Sequence, residues 1–187
     1  MKTQIEVSAK HVHLSKNDFE KLFGKSAEFH PIKNLSQEGE FASKEIVEIV
    51  NGKEKTTARI LGPFRKSSQA ELAITDAIKL KLNPLPKIKV SGDLDGTTKV
   101  LIRNKNKSIK IPCIIAQRHL HCSEKEAKKL KLKNNQVVKI KTSGKRGLIF
   151  DNVIVRTNPK FRLSVHLDTD EGNSAGIYGK TFGEIIR

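Results

Sequence analysis

One motif occurs twice in this chain, 108 residues apart: His11-x-His13-x-Ser15-x-x-Asp18-x-x-Lys21-Leu22 and His119-x-His121-x-Ser123-x-x-Glu126-x-x-Lys129-Leu130. A duplicated motif restricts what the chain can fold into, because each copy has to occupy the same kind of local structure. In an extended strand residues i and i+2 face the same side, so each His-x-His pair presents two imidazoles next to each other. Ser15 and Ser123 are placed to accept from the first N–H groups of a helix, with an acid three positions on, as in a capping box. Each copy therefore predicts a strand that ends in two imidazoles and turns directly into a helix. Gly24 and Lys133-Asn134-Asn135 mark where those helices stop.

Five of the six histidines lie in these pairs and at His166, which opens His166-Leu167-Asp168-Thr169-Asp170-Glu171. A single pair would serve as readily as an ordinary surface or core feature; its recurrence in matched context favours a metal claw. A catalytic zinc site needs at least a third protein donor. Glu71, between Ala70 and Leu72 in a strand-like run, is a candidate for the first pair, although a surface-facing glutamate is the plainer reading. His166 could complete the second pair. Asp168 and Asp170 either orient imidazoles or cap a short helix, and Asp168-x-x-Glu171 favours capping. His30, in Phe29-His30-Pro31, has no companion and reads as a loop residue. In Leu61-Gly62-Pro63-Phe64-Arg65 an arginine follows a Gly-Pro turn, where its planar fork could hold a phosphate; alone, a solvated turn arginine is the plainer reading.

Short segments rich in Ile and Val at 4–9, 45–50, 55–61, 69–74, 98–103, 108–116, 136–142, 147–157 and 161–167 predict a mainly β protein. Asn51-Gly52 and Asp95-Gly96 are hairpin signals, and the even spacing of short strands suggests small barrels rather than a doubly wound sheet. Helices are expected at 15–23, near 75–80, at 123–131 and after Asp168. A length of 187 residues with an internal duplication favours two small domains.

No apolar run approaches the ~20 residues of a membrane span, and no signal-peptide core is present, which predicts a soluble cytoplasmic protein without a membrane partner. Two cysteines are too few for a disulfide scaffold. Cys113 sits in an apolar stretch as a core thiol, and Cys122 points away from the imidazole face unless the strand has already turned. The net charge of +16 invites a nucleic-acid reading. Lysines outnumber arginines 28 to 8 and are spread along the chain, with no Trp and one Tyr to stack bases, so a lysine-rich solvated surface is the better account. Such a surface would still attract a polyanionic small substrate.

Taken in order, these residues resemble the phosphate propanoyltransferase family, zinc-containing phosphotransacylases known from bacterial microcompartments. The carriers are Ser8-Ala9-Lys10-His11-Val12-His13-Leu14-Ser15, Leu61-Gly62-Pro63-Phe64-Arg65-Lys66, Glu71, Ser91-Gly92-Asp93, Gln117-Arg118-His119-Leu120-His121 and His166-Leu167-Asp168-Thr169-Asp170-Glu171, spread over nearly the whole chain. The resemblance implies two zinc ions, one held by His11, His13 and Glu71 and the other by His119, His121 and His166, with Arg65 binding phosphate. It implies two tandem β-barrels capped by short helices, with the first strand exchanged into the C-terminal barrel and the two claws facing each other. Residues 1–8 plus 117–187 would form one barrel and residues 9–116 the other. The implied reaction exchanges coenzyme A and phosphate on a short acyl group, in a homodimer with CoA near the interface. Two departures stand out: Glu71-Leu72-Ala73 where the family usually has Glu-x-Ser, and Cys122 where methionine is common. The chain starts ten residues before its first claw, without the extension that directs family members into microcompartments, which implies a free cytosolic enzyme. A metal-dependent hydrolase of thioesters or phosphoesters is the alternative from the same ligands, and a basic nucleic-acid-binding barrel the alternative from composition.

Overall fold

The computed structural model describes residues 1–186. It opens with β1 (Lys2–Ser8), then runs through β2 (His11–His13), α1 (Lys16–Phe23), β3 (Pro31–Asn34), β4 (Phe41–Asn51), β5 (Glu54–Gly62), β6 (Gln69–Leu72), α2 (Ile74–Lys79), β7 (Ile88–Lys89), β8 (Thr98–Asn104) and β9 (Lys107–Ala116). β10 (His119–Cys122), α3 (Glu124–Leu130), β11 (Val137–Lys141), β12 (Ile149–Thr157), β13 (Ser164–Asp168), α4 (Thr169–Ser174) and β14 (Thr181–Ile186) complete it. Two compact units result, Met1–Ala9 with Gln117–Arg187, and Lys10–Ala116.

In the unit Lys10–Ala116, β4-β5-β2-β6-β9-β8 closes into a six-stranded barrel because β8 pairs with both β9 and β4, while β3 and β7 extend from β4 and β9. In the other unit, β11-β12-β10-β13-β1-β14 closes in the same way. The two orders match strand for strand, including the sense of each pairing. Each claw strand runs parallel to one neighbour (β2 with β5, β10 with β12) and antiparallel to the other (β2 with β6, β10 with β13). β1 takes in its barrel the place that β9 takes in the other, parallel to β13 as β9 is to β6. The duplication seen in a dozen residues thus extends to the whole architecture.

Both barrels are filled by the alternate apolar residues of their strands. Ile49, Ile60, Leu72, Ile102 and Ile111 occupy the core of the unit Lys10–Ala116, and Ile5, Leu120, Ile140, Val155 and Val165 that of its counterpart. α1 plugs its barrel with Phe19 and Leu22, and α3 with Ala127 and Leu130; Leu22 and Leu130 are the apolar position that the repeated motif shares. Burying a Leu or Phe side chain contributes roughly 1.5–3 kcal/mol, which is why these short helices persist despite lengths that are marginal in isolation.

Three strands carry no clear signal in the sequence: β3, β7 and β14. Gly183 interrupts the pattern of β14, and the packing explains it, since a Cβ there would lie 2.6 Å from Ile140 Cγ2 and 2.9 Å from Ile5 Cδ1. Asn51-Gly52 forms the expected β4–β5 hairpin, with Asn51 opposite Glu54. Asp95-Gly96 does not join paired strands, because β7 and β8 flank it and each pairs with β9 instead. The hairpin before β9 turns at Lys105-Asn106, with Lys105 at φ 52°. Ala73 occupies the N-cap of α2 in the usual extended conformation but supplies no side-chain cap. Ala73→Ser would offer a hydroxyl to the first N–H groups of α2, and the expected gain is about 1 kcal/mol of stability in urea titration.

Candidate metal centres and Arg65

The strand register positions the claws. Across the antiparallel pair β2–β6, His11 lies opposite Glu71, and across the corresponding pair β10–β13, His119 lies opposite His166. Each barrel therefore places a third donor beside the first histidine of its claw. His11, His13 and Glu71 form one group of donor atoms within 4.8 Å of one another, and His119, His121 and His166 form the other.

In the first group, His11 Nε2 is 3.6 Å from Glu71 Oε2 and His13 Nε2 is 3.7 Å from Glu71 Oε1. These spacings are too long for good hydrogen bonds, which close to about 3.2 Å. They sit near the roughly 3.4 Å separating donors on a tetrahedral ion with bonds of about 2.1 Å. The donor set thus fits a small divalent cation, and two imidazoles with one carboxylate suit zinc. Burial first, then the neighbouring His11, push the His13 ring down to about 3 against the pull of Glu71, so it is neutral, the form that ligates. Glu71 is itself held: Gln69 Nε2 and Ser91 Oγ both donate to Oε1, the latter at 2.7 Å, while Gly92 N–H donates to Gln69 Oε1 at 3.0 Å. This shell orients the carboxylate as outer-shell partners orient metal ligands. The Ala73 departure leaves it intact, because the support comes from Gln69 and Ser91.

The second group is all imidazole. The rings of His119 and His166 are parallel with centroids 5.0 Å apart, and His121 stacks on Phe161 at 3.9 Å. The Gln117 carbonyl accepts from His119 Nδ1 at 2.9 Å, which leaves the Nε2 lone pair for a metal. Glu6, on β1, brings Oε2 to 3.9 Å from His166 Nε2.

Arg65 sits in the turn after β5. Its backbone N–H donates to Leu14 O at 2.9 Å, immediately after the first claw, and Nη2 donates to Glu40 Oε1 at 2.9 Å. Its charge is close enough to depress the His13 pKa. Phe41 lies over Gly62, where a Cβ would come within 2.2 Å of the ring, so only glycine lets the turn approach. The structure thus gathers Arg65 with His11, His13 and Glu71 in one barrel and His119, His121 and His166 in its counterpart.

A family model described as phosphate propanoyltransferase matches residues 4–178. Relatives bearing that name include one from Thermotoga maritima, 43% identical over 91% of this chain and 82% of its own length. One from Leptotrichia buccalis is 41% identical over 97% of this chain and 86% of its own length, and one from Sebaldella termitidis is 39% identical over 98% and 87%. The chain belongs to the phosphate propanoyltransferase family.

As a phosphate propanoyltransferase family member, the chain shows no activated thiol. Burial pushes Cys113 up to about 12, and burial with Glu126 pushes Cys122 up to about 11; Cys122 packs in the barrel core. Asp168 is the N-cap of α4 in a complete capping box with Glu171, as its spacing suggested. His30 is exposed, with Nδ1 2.6 Å from Glu45 Oε1. Sequence reasoning missed Glu6, Glu40, Gln69, Ser68 and Phe161. Glu6, Glu40, Ser68 and Phe161 act through pairings between distant segments, which local spacing does not reveal, whereas Gln69 stands two residues before Glu71 on the same strand face, where the i, i+2 rule could have found it.

Glu171 also carries an electrostatic signature. Burial and the adjacent Asp168 raise its carboxyl to about 7, although Arg118 Nε lies 2.9 Å away. The folded state therefore binds a proton that the unfolded chain releases nearer 4.5. That stabilisation is complete below the unfolded value and is lost as pH rises through about 7. Glu171→Gln should flatten the decline in melting temperature between about pH 5 and about pH 7.5. An unchanged slope would remove the assignment.

Proposed function

We propose that this protein exchanges coenzyme A and phosphate on a short acyl group by direct attack of phosphate on the thioester carbonyl. A new acyl–oxygen bond replaces the acyl–sulfur bond, and the departing CoA thiolate takes up a proton. The observation that carries the reading is the pairing of Arg65, fixed by Leu14 and Glu40, with the donor group His11, His13 and Glu71 in one barrel. Arg65 would hold phosphate through the N–H groups that Glu40 leaves free, with the bidentate geometry that suits this anion. Holding the nucleophile in one orientation makes the step effectively unimolecular. Gln69 and Ser91 keep the Glu71 carboxylate in place, and Gln117 keeps the His119 tautomer. Zinc bound by His11, His13 and Glu71 and by His119, His121 and His166 would supply Lewis-acid polarisation of the thioester carbonyl. Both cysteines are protonated and buried, which supports a ternary complex without a covalent acyl-enzyme.

Acetyl-CoA and propanoyl-CoA both fall within this reading, and the net charge of +16 would favour encounter with either polyanion. A homodimer and a cytoplasmic location belong to the same proposal; no helix among the described residues is long and apolar enough to cross a membrane. With acetyl-CoA, thiol release should require phosphate, and hydroxylamine should trap acyl phosphate in equal amount. Arg65→Ala is expected to raise the phosphate KM at least about tenfold, with a smaller effect on the acyl-CoA KM. Thioester cleavage without phosphate would identify a hydrolase instead.

A further inference from the structure

The two copies of the repeated motif differ in how they close their helix caps. In the second, Glu126 Oε2 accepts from the Ser123 N–H and from the Ser123 hydroxyl, both at 2.8 Å, while Ser123 Oγ accepts from Glu126 N–H: a closed capping box. In the first copy the acid is Asp18, one methylene shorter. Ser15 Oγ still accepts from Asp18 N–H at 3.2 Å, but the return arm is filled by a residue fifty positions away. Ser68 Oγ accepts from the Ser15 N–H at 2.9 Å and donates to Asp18 Oδ2 at 2.7 Å. The buried hydroxyl thus completes a cap that its own segment does not belong to.

Ser68 ends the turn that begins at Arg65. The four residues from Arg65 to Ser68 are pinned at both ends to one short stretch: Arg65 N–H to Leu14 O, and Ser68 Oγ to Ser15 and Asp18. That stretch starts directly after His13, and Ser68 leads directly into β6, which carries Glu71. Lys66 and Ser67, between the pins, are exposed.

We infer that Ser68 and Asp18 are positioning residues for phosphate, fixing the Arg65 turn against the first claw through a helix cap opened to admit it. This rests on the reading of Arg65 as the phosphate ligand. An opened cap serves the helix no better than a closed one, since either satisfies the Ser15 N–H; what it adds is the tie to the arginine turn. Displacement of a binding group by about 1 Å is enough to weaken a reaction by up to about a hundredfold.

Asp18→Glu separates the two roles. The longer carboxylate can reach Ser15 N–H as Glu126 reaches Ser123 N–H, closing the box and releasing Ser68. The melting temperature should hold while the phosphate KM rises about five- to tenfold and the acyl-CoA KM stays at its wild-type value. Ser68→Ala should raise the phosphate KM similarly with some loss of stability, and Ser68→Thr, which keeps the hydroxyl, should restore it. An unchanged phosphate KM in Asp18→Glu and Ser68→Ala, with Arg65→Ala still raising it, would overturn the inference alone. A parallel rise in both KM values would overturn it in favour of a general structural role. An unaffected phosphate KM in Arg65→Ala would overturn it together with the reading of Arg65.

Discussion

The register of two antiparallel strand pairs is the constraint on which everything else depends. A His-x-His strand supplies two imidazoles on one face, and its antiparallel neighbour decides what stands opposite the first of them. Opposite His11 stands Glu71, and opposite His119 stands His166. A slip of one residue in either pair would turn the third donor to the other side of the sheet and leave a two-donor claw. The closed barrels hold that register, because each claw strand is clamped between a parallel and an antiparallel neighbour and has no free edge.

Gathering buried donors in this way is costly unless something compensates. The three donor residues at Glu71 are all nearly inaccessible, and burial alone disfavours a charged carboxylate or a charged imidazole. Burial keeps the His13 ring neutral, with one ring nitrogen carrying a lone pair. The hydrogen bonds from Gln69 and Ser91 both meet Glu71 Oε1. A cation bound there would offset the charge of the carboxylate.

Much of this was legible in the residues themselves. The repeat gave both claw strands and both following helices, since alternation and capping act over a few positions. Asp168-x-x-Glu171 likewise gave α4. The equivalence of the two barrels was not legible, because only the claw and its helix keep their side chains in common, whereas β14 carries a glycine demanded by its neighbours Ile140 and Ile5. Asp95-Gly96 misled for a related reason: turn chemistry shows that the chain bends, not which strands will pair across the bend. Ser68 was invisible, because its partners Ser15 and Asp18 seemed to complete a cap by themselves.

The central claim is that each barrel holds its own cation. Metal content per chain, measured by native mass spectrometry on the purified protein alongside His13→Ala and His121→Ala, tests it most directly. The account predicts two zinc ions in the unaltered protein and one in each variant, the remaining ion belonging to the untouched barrel. A protein that folds without bound metal, or variants that keep the full complement, would contradict it.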